Sequence, residues 1–208
     1  MKTNTKFLFV SLAMILGLNP TIQAQTVTIG KQVWMTKNLD VSTFRNGDPI
    51  PEAKTDEAWK AAGENNQPAW CYYDNDPKNG TKYGKLYNWY AVNDPRGLAP
   101  AGYHIPTDAE WTVLTDYLGG EAGKKMKSTS GWVKNGNGTN SSGFSGLPAG
   151  YRYSLGTFYL IGKGAYWWSS TEYVTGTACY RYLNFNVSDV ARGFDDKEGG
   201  LSVRCLRD

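Results

Sequence analysis

The sequence contains few of the residues that build reactive centres. Among its 208 residues there are three cysteines and one histidine, His104. No Cys-x₂₋₄-Cys or His-x₃-His spacing occurs, so we expect no zinc site and no other bound metal or cofactor. The Ser-x-x-Lys and Gly-x-Ser-x-Gly spacings of two groups of serine enzymes are also missing. His104 is therefore expected to have a structural role at the start of the helix that follows it, rather than to act as a general base.

Long hydrophobic runs are missing except at the start of the chain. Residues 7–18 form such a run, which follows Lys2 and Lys6 and ends before Asn19-Pro20. About 12 apolar residues are too few for the roughly 20 that a membrane helix needs. Residues 1–24 are therefore predicted to be a secretory signal peptide, cleaved after Ala24. No cysteine lies near the cut, so we expect no lipid anchor there.

The predicted cleavage leaves residues 25–208, which we expect to form a single exported domain in the periplasm, at the cell surface or outside the cell. The whole chain has a formal net charge of +3, and removal of two lysines and no acids lowers it to +1. A nearly neutral domain offers no electrostatic reason to bind nucleic acid. No later run is long and apolar enough to span a membrane, so neither kind of partner is expected.

Aromatic residues and glycines, by contrast, are abundant. The chain has 8 Trp, 14 Tyr, 7 Phe and 24 Gly, and aromatic residues make up 14% of it. Aromatic side chains bury large areas, and glycine permits tight turns. The composition predicts a compact domain with many loops and few long helices.

The clearest local signal is a helix that begins after Thr107. Thr107 and Glu110 have the spacing of a capping box, in which each satisfies a free backbone N–H at the helix start. Gly119-Gly120 then supplies the residue that ends the helix. Apolar side chains recur between these points at helical spacing and predict one buried stripe: Trp111, Leu114, Tyr117 and Leu118.

The other segments are typical of short strands and turns. Residues 26–39 contain two short pieces around Gly30-Lys31 and predict a hairpin. Residues 83–92 fit either a strand or a short helix, and residues 131–143 predict a long surface loop. The last third of the chain predicts five strands, at 150–153, 157–161, 165–169, 178–186 and 201–206.

Alternation along residues 178–186 indicates a candidate ligand-binding face, because successive residues of a strand point to opposite sides. One side carries aromatic and amide groups: Tyr180, Tyr182, Asn184 and Asn186. By the same rule only one of Trp167 and Trp168 can face solvent, and we add Trp167 to the candidate face. Exposed aromatic rings stack on sugars, and amides supply hydrogen bonds. The alternative is that these aromatic residues mostly fill the core.

Two smaller groups of polar residues leave other possibilities open. Asp74-Asn75-Asp76 offers oxygen ligands for calcium, but Asp-Pro and Asn-Gly sequences are ordinary in turns, and a plain turn is favoured. Asp195 and Asp196 lie in an acidic stretch that we expect to be solvated. In an oxidising compartment the three cysteines, Cys71, Cys179 and Cys205, allow at most one internal disulfide, whose pairing the sequence leaves open.

Six motifs extend over nearly all of the expected mature chain: IGKQVWMTKNLD at 29–40, YGKLYNWYAV at 83–92, GYHIPTDAEW at 102–111, GFSGLPAGYR at 143–152, YWWSSTE at 166–172 and GLSVRCLRD at 200–208. In these motifs and in their order the sequence resembles the Fibrobacter succinogenes major paralogous (FISUMP) domain. Members of that family are bacterial and exported, and have no established activity. They commonly have a cysteine where this chain has Ala99, so the resemblance makes Cys179 an alternative disulfide partner for Cys205.

The resemblance also implies a fold. The FISUMP domain is similar to C-type-lectin-like and formylglycine-generating-enzyme-like domains, so we expect an α+β fold with a small twisted antiparallel sheet, one main helix, long loops and neighbouring chain ends. The calcium-binding motifs of sugar-binding C-type lectins are missing here, as is the closely spaced cysteine pair of the formylglycine-generating enzymes.

We therefore expect an exported non-catalytic module that binds a carbohydrate or a protein partner. The alternative is a divergent enzyme of the formylglycine-generating-enzyme-like fold with an unknown substrate. The two classes predict different results, because an enzyme would lose turnover on substitution of His104 or Cys205.

Overall fold

The computed structural model describes residues 25–208, and the predicted signal peptide lies outside the described residues. Within residues 25–208 the chain has an α+β fold of eleven strands and five α-helices. The helices are α1 (Asp56–Glu64), α2 (Pro77–Tyr83), α3 (Trp89–Val92), α4 (Asp108–Leu118) and α5 (Ala122–Met126). The strands are β1 (Thr26–Ile29), β2 (Gln32–Met35), β3 (Trp70–Cys71), β4 (Leu86–Tyr87), β5 (Tyr103–His104), β6 (Ala149–Arg152), β7 (Phe158–Ile161), β8 (Gly164–Val174), β9 (Thr177–Asn184), β10 (Ala191–Asp196) and β11 (Leu206–Arg207).

A four-stranded antiparallel sheet joins the two ends of the described chain, in the order β1-β2-β11-β5. The predicted hairpin is confirmed: β1 pairs with β2, and Gly30 in the turn between them has a φ of 61°. Leu206 of β11 lies opposite both Trp34 and His104. The last residues of the chain therefore lie beside the first described strands.

A five-stranded sheet with the order β10-β9-β8-β6-β7 forms the centre of the molecule. We expected a purely antiparallel sheet, but β6 and β8 are parallel neighbours, with Gly150 opposite Ala165. The chain reverses after β6 and again after β7, and β8 then lies on the other side of β6, so the two strands run in the same direction. The sheet is therefore mixed.

Two segments differ from a single strand or helix. For one the sequence pattern left the type of element open, and for the other it predicted a strand. The segment 83–92, which fitted either a strand or a helix, contains the end of α2, strand β4 and helix α3. The strand predicted at 201–206 is mostly replaced by isolated bridges, from Leu201 to Tyr87 and from Ser202 to Trp167. Residues 131–143 form the predicted loop, with no helix or strand.

Helix α4 has the predicted bounds. Thr107 caps it, and both halves of the capping box with Glu110 are present. Trp111 and Leu114 are fully buried, but Tyr117 is 66% exposed, so its place in the buried stripe was wrong. Its ring lies over Gly30 in the turn between β1 and β2, at the edge of the helix contact rather than beneath it.

The central sheet is covered on both faces by aromatic clusters. The cluster shared with α4 contains Trp34, Trp111, Phe144 and Trp167. The cluster on the other face contains Tyr87, Trp89, Trp168 and Val203. A smaller cluster lies around Trp59, Cys71 and Tyr73. Most of the aromatic side chains therefore fill the core. This was the alternative to an exposed ligand-binding face in the sequence analysis.

All three cysteines are free and buried, so no disulfide forms within the described chain. Cys71 belongs to the small cluster around Trp59, whereas Cys205 packs in the cluster with Tyr87. Cys179 lies on β9 and contacts Arg192 instead. The cysteine pairings left open by the sequence, including that of Cys179 with Cys205, are not formed in this structure.

No helix within residues 25–208 is both long and apolar enough to cross a membrane.

Candidate functional site

The two neighbouring tryptophans of β8 are not part of a ligand-binding surface. Trp167 and Trp168 are both 0% exposed. The indole N–H of Trp167 donates to Asn38 Oδ1 over 2.9 Å, and that of Trp168 donates to the carbonyl of Tyr87 over 2.8 Å. Alternation places them on opposite faces of the sheet, but because both faces are covered, neither ring reaches solvent. The assignment of Trp167 to the candidate face was therefore wrong.

Three of the other predicted side chains line one cleft of about 400 Å³. We call it the tyrosine cleft and define it by Tyr151, Tyr153, Tyr166, Tyr180, Tyr182, Asn184 and Asp195. Its volume is in the range of small-molecule binding sites. Asn186, the remaining predicted residue, is exposed and lies apart, in a shallow depression with Lys127 and Phe185. The structure thus brings together Tyr180, Tyr182 and Asn184 and excludes Trp167 and Asn186.

Strand register explains why these tyrosines meet. Tyr166 of β8 lies directly opposite Tyr182 of β9, and Tyr180 lies opposite Gly193 of β10. A Cβ atom on Gly193 would lie 2.5 Å from Cζ of Tyr180. Glycine at this position therefore lets the Tyr180 ring lie across β10.

The tyrosine rings form a continuous patch rather than isolated side chains. The rings of Tyr166 and Tyr182 are stacked, with centroids 5.6 Å apart and planes inclined by 13°. Tyr180 lies 6.0 Å from Tyr166 and 5.7 Å from Tyr182, and Tyr151 meets the edge of Tyr166 at 4.9 Å. These separations are those of favourable aromatic pairs. The rings therefore hold one another in place and form a rigid wall.

The hydroxyl groups that line the cleft are left without partners among the described residues. Within residues 25–208, none of the five tyrosine hydroxyls makes a hydrogen bond to another protein group. Oδ1 of Asn184 is buried and has no donor within reach. Buried polar atoms are normally paired, so an unpaired one needs an explanation. This oxygen is enclosed by the protein, whereas the tyrosine hydroxyls are not buried and are the groups available to a ligand.

Asp195 lies at the same cleft on the half-buried side of β10. Burial raises the pKa of its carboxyl, and the negative charges of Asp196 and Glu198 raise it further, although the backbone N–H of Asp196 opposes them. Burial, and then the charge of Asp195, raises the pKa of Tyr180 to about 12. The hydroxyl of Tyr180 therefore stays protonated at neutral pH and can donate a hydrogen bond. The expectation that Asp195 is simply solvated was wrong, because β10 continues through it.

A larger cleft of about 550 Å³ lies on another side of the molecule, beside Asn38 and Arg204. Arg204 is 1% exposed and pairs with no carboxylate among the described residues, and burial lowers its pKa to about 9. Its guanidinium donates to Asn38 Oδ1 and to the carbonyls of Met35 and Phe144. The buried polar groups of this cleft form hydrogen bonds with one another. Fewer of them are therefore free to bind a ligand than in the tyrosine cleft.

His104 lies outside both clefts and links two ends of secondary structure. Its Nδ1 is 2.8 Å from a carboxylate oxygen of Asp208, and its Nε2 is 2.9 Å from one of Glu110. Both ring nitrogens are therefore occupied, which fits the structural role expected from the sequence. Asp76 likewise caps α2 by accepting from the backbone N–H of Lys78, as expected of a turn residue.

Sequence patterns missed Tyr151, Tyr153, Tyr166 and Asp195. Alternation within one strand finds neighbours on β9 but not on β6, β8 or β10. A signal for Asp195 was nevertheless present: Ala191, Gly193 and Asp195 alternate, and the two small residues leave room for rings from the next strand.

No curated protein and no solved structure matched the chain. The model of one family, described as the Fibrobacter succinogenes major domain, matches residues 27–207. The match includes every strand and helix that lines the tyrosine cleft, and the chain belongs to the Fibrobacter succinogenes major domain family.

Proposed function

We propose that this protein is an exported, non-catalytic binding module and that the tyrosine cleft takes a carbohydrate. The observation that carries the proposal is the wall of stacked tyrosines whose hydroxyls make no hydrogen bond to another protein group within residues 25–208. Sugar rings pack on aromatic faces through their C–H groups, and their hydroxyls bind phenols and amides. A protein partner that inserts a side chain into the cleft is the second form of the same proposal.

The state of the candidate reactive groups supports binding over catalysis. Burial raises the pKa of both Cys71 and Cys205 to about 12, so neither thiol is a ready nucleophile. His104 is held by carboxylates on both nitrogens and does not line the cleft. The alternative of a divergent enzyme therefore lacks an activated nucleophile or a free base among these residues.

The proposal also includes a relationship between this fold and two known groups of domains. We place the chain near C-type-lectin-like and formylglycine-generating-enzyme-like domains because β11 pairs with β2 and brings the chain ends together. The one long capped helix, α4, packs on the central sheet through Trp111, which also fits that group of folds. Export rests on the signal-peptide pattern of residues 1–24.

The test is a screen of the purified protein against glycans and cell-envelope fractions, followed by titration of the best ligand. Tyr180→Phe and Tyr182→Phe keep the ring packing but remove a hydroxyl. Each should weaken binding about two- to tenfold, the value of one hydrogen bond of about 0.5–1.5 kcal/mol. Tyr117→Phe is the matched control, because Tyr117 is exposed on α4 and does not line the cleft. It should leave the affinity unchanged.

Two results would reject the proposal. Binding that is equal in all three variants would place the ligand elsewhere. Absence of binding, combined with turnover of a substrate that is lost on substitution of His104 or Cys205, would favour the enzyme alternative.

A further inference from the structure

The tyrosine cleft has the charge character of a site for cations. None of its seven lining residues is a lysine, an arginine or a histidine. Its only carboxylate, Asp195, is half-buried, and no basic side chain in the described part of the chain forms an ion pair with it. Its hydrogen bond is from the backbone N–H of Asp196, over 2.9 Å. A partly desolvated carboxylate without a cation is unfavourable and is stabilised by one that a ligand brings.

The surroundings of Asp195 increase this preference. Asp196 and Glu198 follow it within three residues, and both add negative charge near the cleft. Lys197, two residues after Asp195 in the sequence, is already engaged, because its ammonium lies 2.7 Å from Glu172 and over the ring of Trp89. The protein's own basic groups therefore do not neutralise the cleft.

The remaining groups of the cleft also favour a donor that carries positive charge. The faces of Tyr180 and Tyr182, which are only partly buried, bear the negative part of the aromatic quadrupole, which attracts ammonium groups. Aromatic faces and a carboxylate thus present one sign of potential to a ligand.

We infer that the tyrosine cleft selects a sugar with a free ammonium group, that is, an amino sugar that is not N-acetylated. This inference rests on the proposed carbohydrate-binding function and adds its charge preference. The ammonium group pairs with the carboxylate of Asp195, while the sugar ring packs on the tyrosine wall and its hydroxyls bind the free phenols. N-acetylation removes the charge and leaves Asp195 unpaired, so the acetylated sugar binds more weakly.

The experiment compares two probes of equal length, glucosamine oligosaccharides and N-acetylglucosamine oligosaccharides, by calorimetric titration at a pH where the amine is protonated. The free-amine probe should bind at least about tenfold more tightly, and added salt should reduce the difference. Asp195→Asn should remove the preference and leave the affinity for the acetylated probe nearly unchanged. Asp116→Asn, an exposed substitution on α4 with the same change in net charge, should retain the preference.

Each other outcome has a defined meaning. Equal binding of both probes to the unchanged protein overturns the charge preference but leaves the carbohydrate proposal standing. A preference that survives Asp195→Asn also overturns the inference, because the charge would then be recognised elsewhere. If neither these probes nor any other glycan binds, this inference and the carbohydrate form of the proposed function both fail. Thermal unfolding of Asp195→Asn, with a midpoint near that of the unchanged protein, shows that loss of preference is not loss of fold.

Discussion

At the scale of single residues, buried polar side chains depend on one another for partners. Asn38 is the best example, because its Oδ1 accepts from Trp167 Nε1 at 2.9 Å and from Arg204 Nη2 at 2.8 Å. Arg204 also lies over the ring of Phe144, 4.4 Å from its centre. A neutral amide thus holds a guanidinium that has no carboxylate beside it.

Substitution Asn38→Ala should therefore destabilise the protein strongly. It leaves the indole N–H of Trp167 and part of the Arg204 guanidinium without acceptors, and each unsatisfied buried donor costs about 1–3 kcal/mol, more when charged. We expect the free energy of unfolding to fall by about 3 kcal/mol or more, measured by urea denaturation. Asn186→Ala, at an exposed site, is the control and should change it by less than about 0.5 kcal/mol. A small effect of Asn38→Ala would mean that water replaces the amide.

At the scale of secondary structure, the start of α4 is a junction between elements. Glu110 closes the capping box with Thr107 and also accepts from His104 of β5. His104 in turn reaches Asp208, next to the end of β11. Asp108, in the first turn of the helix, pairs with Arg181 of β9 and with Arg192 of β10. The helix start therefore attaches to both sheets through charged groups.

The His104 contacts predict a pH dependence of stability. Burial opposes the charged imidazole, but the hydrogen bonds to Asp208 and Glu110 outweigh it, so the pKa of His104 lies above its ordinary value of 6.5. A raised folded-state pKa stabilises the protein fully below the unfolded-state pKa, and this contribution is lost as the pH rises through the folded-state pKa. His104→Gln should therefore cost more near pH 5 than near pH 9, by at most about 1 kcal/mol, since the pair is partly exposed.

Urea denaturation of both proteins at the two pH values checks this. The unchanged protein and His104→Gln should differ most at the acidic value and converge at the alkaline one. A loss that is the same at both values would show that His104 acts only by packing or by neutral hydrogen bonds.

At the scale of the whole molecule, the reactivity of the three buried cysteines measures how often the core opens. Cys71, Cys179 and Cys205 are each at most 1% exposed and lie in different surroundings. Burial raises the pKa of all three thiols, and that of Cys71 and Cys205 reaches about 12. A thiol that is both buried and protonated reacts only when the structure opens.

A thiol-reactive reagent should therefore label none of the cysteines in the native protein and all three in urea, without a reductant. The rate of labelling under native conditions should follow the rate of opening of the core, measured by hydrogen exchange of β8 and β9. Fewer than three thiols in the unfolded protein would reveal a disulfide that this structure does not have. Fast native labelling of one cysteine would show that its cluster opens independently.

Local signals predicted a good part of the fold. The bounds of α4, its capping box and the hairpin at Gly30 each depend on residues within a few positions of one another. Short-range hydrogen bonds and turn geometry decide these features, so a single stretch of sequence contains the necessary information. The same reasoning could not place β8 parallel to β6, because that pairing depends on which side of β6 the returning chain takes.

The candidate site shows the same division. Alternation within β9 was enough to group Tyr180, Tyr182 and Asn184, since all three are on one strand. Whether that face is open depends on what other segments cover it. The core around Tyr87 covers Trp168, and α4 covers Trp167, so neither could be assigned from its own strand.

The amino-acid sequence by itself determined the capped helix, the hairpin and membership of a family. Only the tertiary structure decided that Tyr151, Tyr166 and Asp195 join the tyrosines of β9 around one cleft. The physical reason is range: caps and turns are set by neighbours in the chain, whereas burial and the pairing of charges are set by segments that approach from far along it.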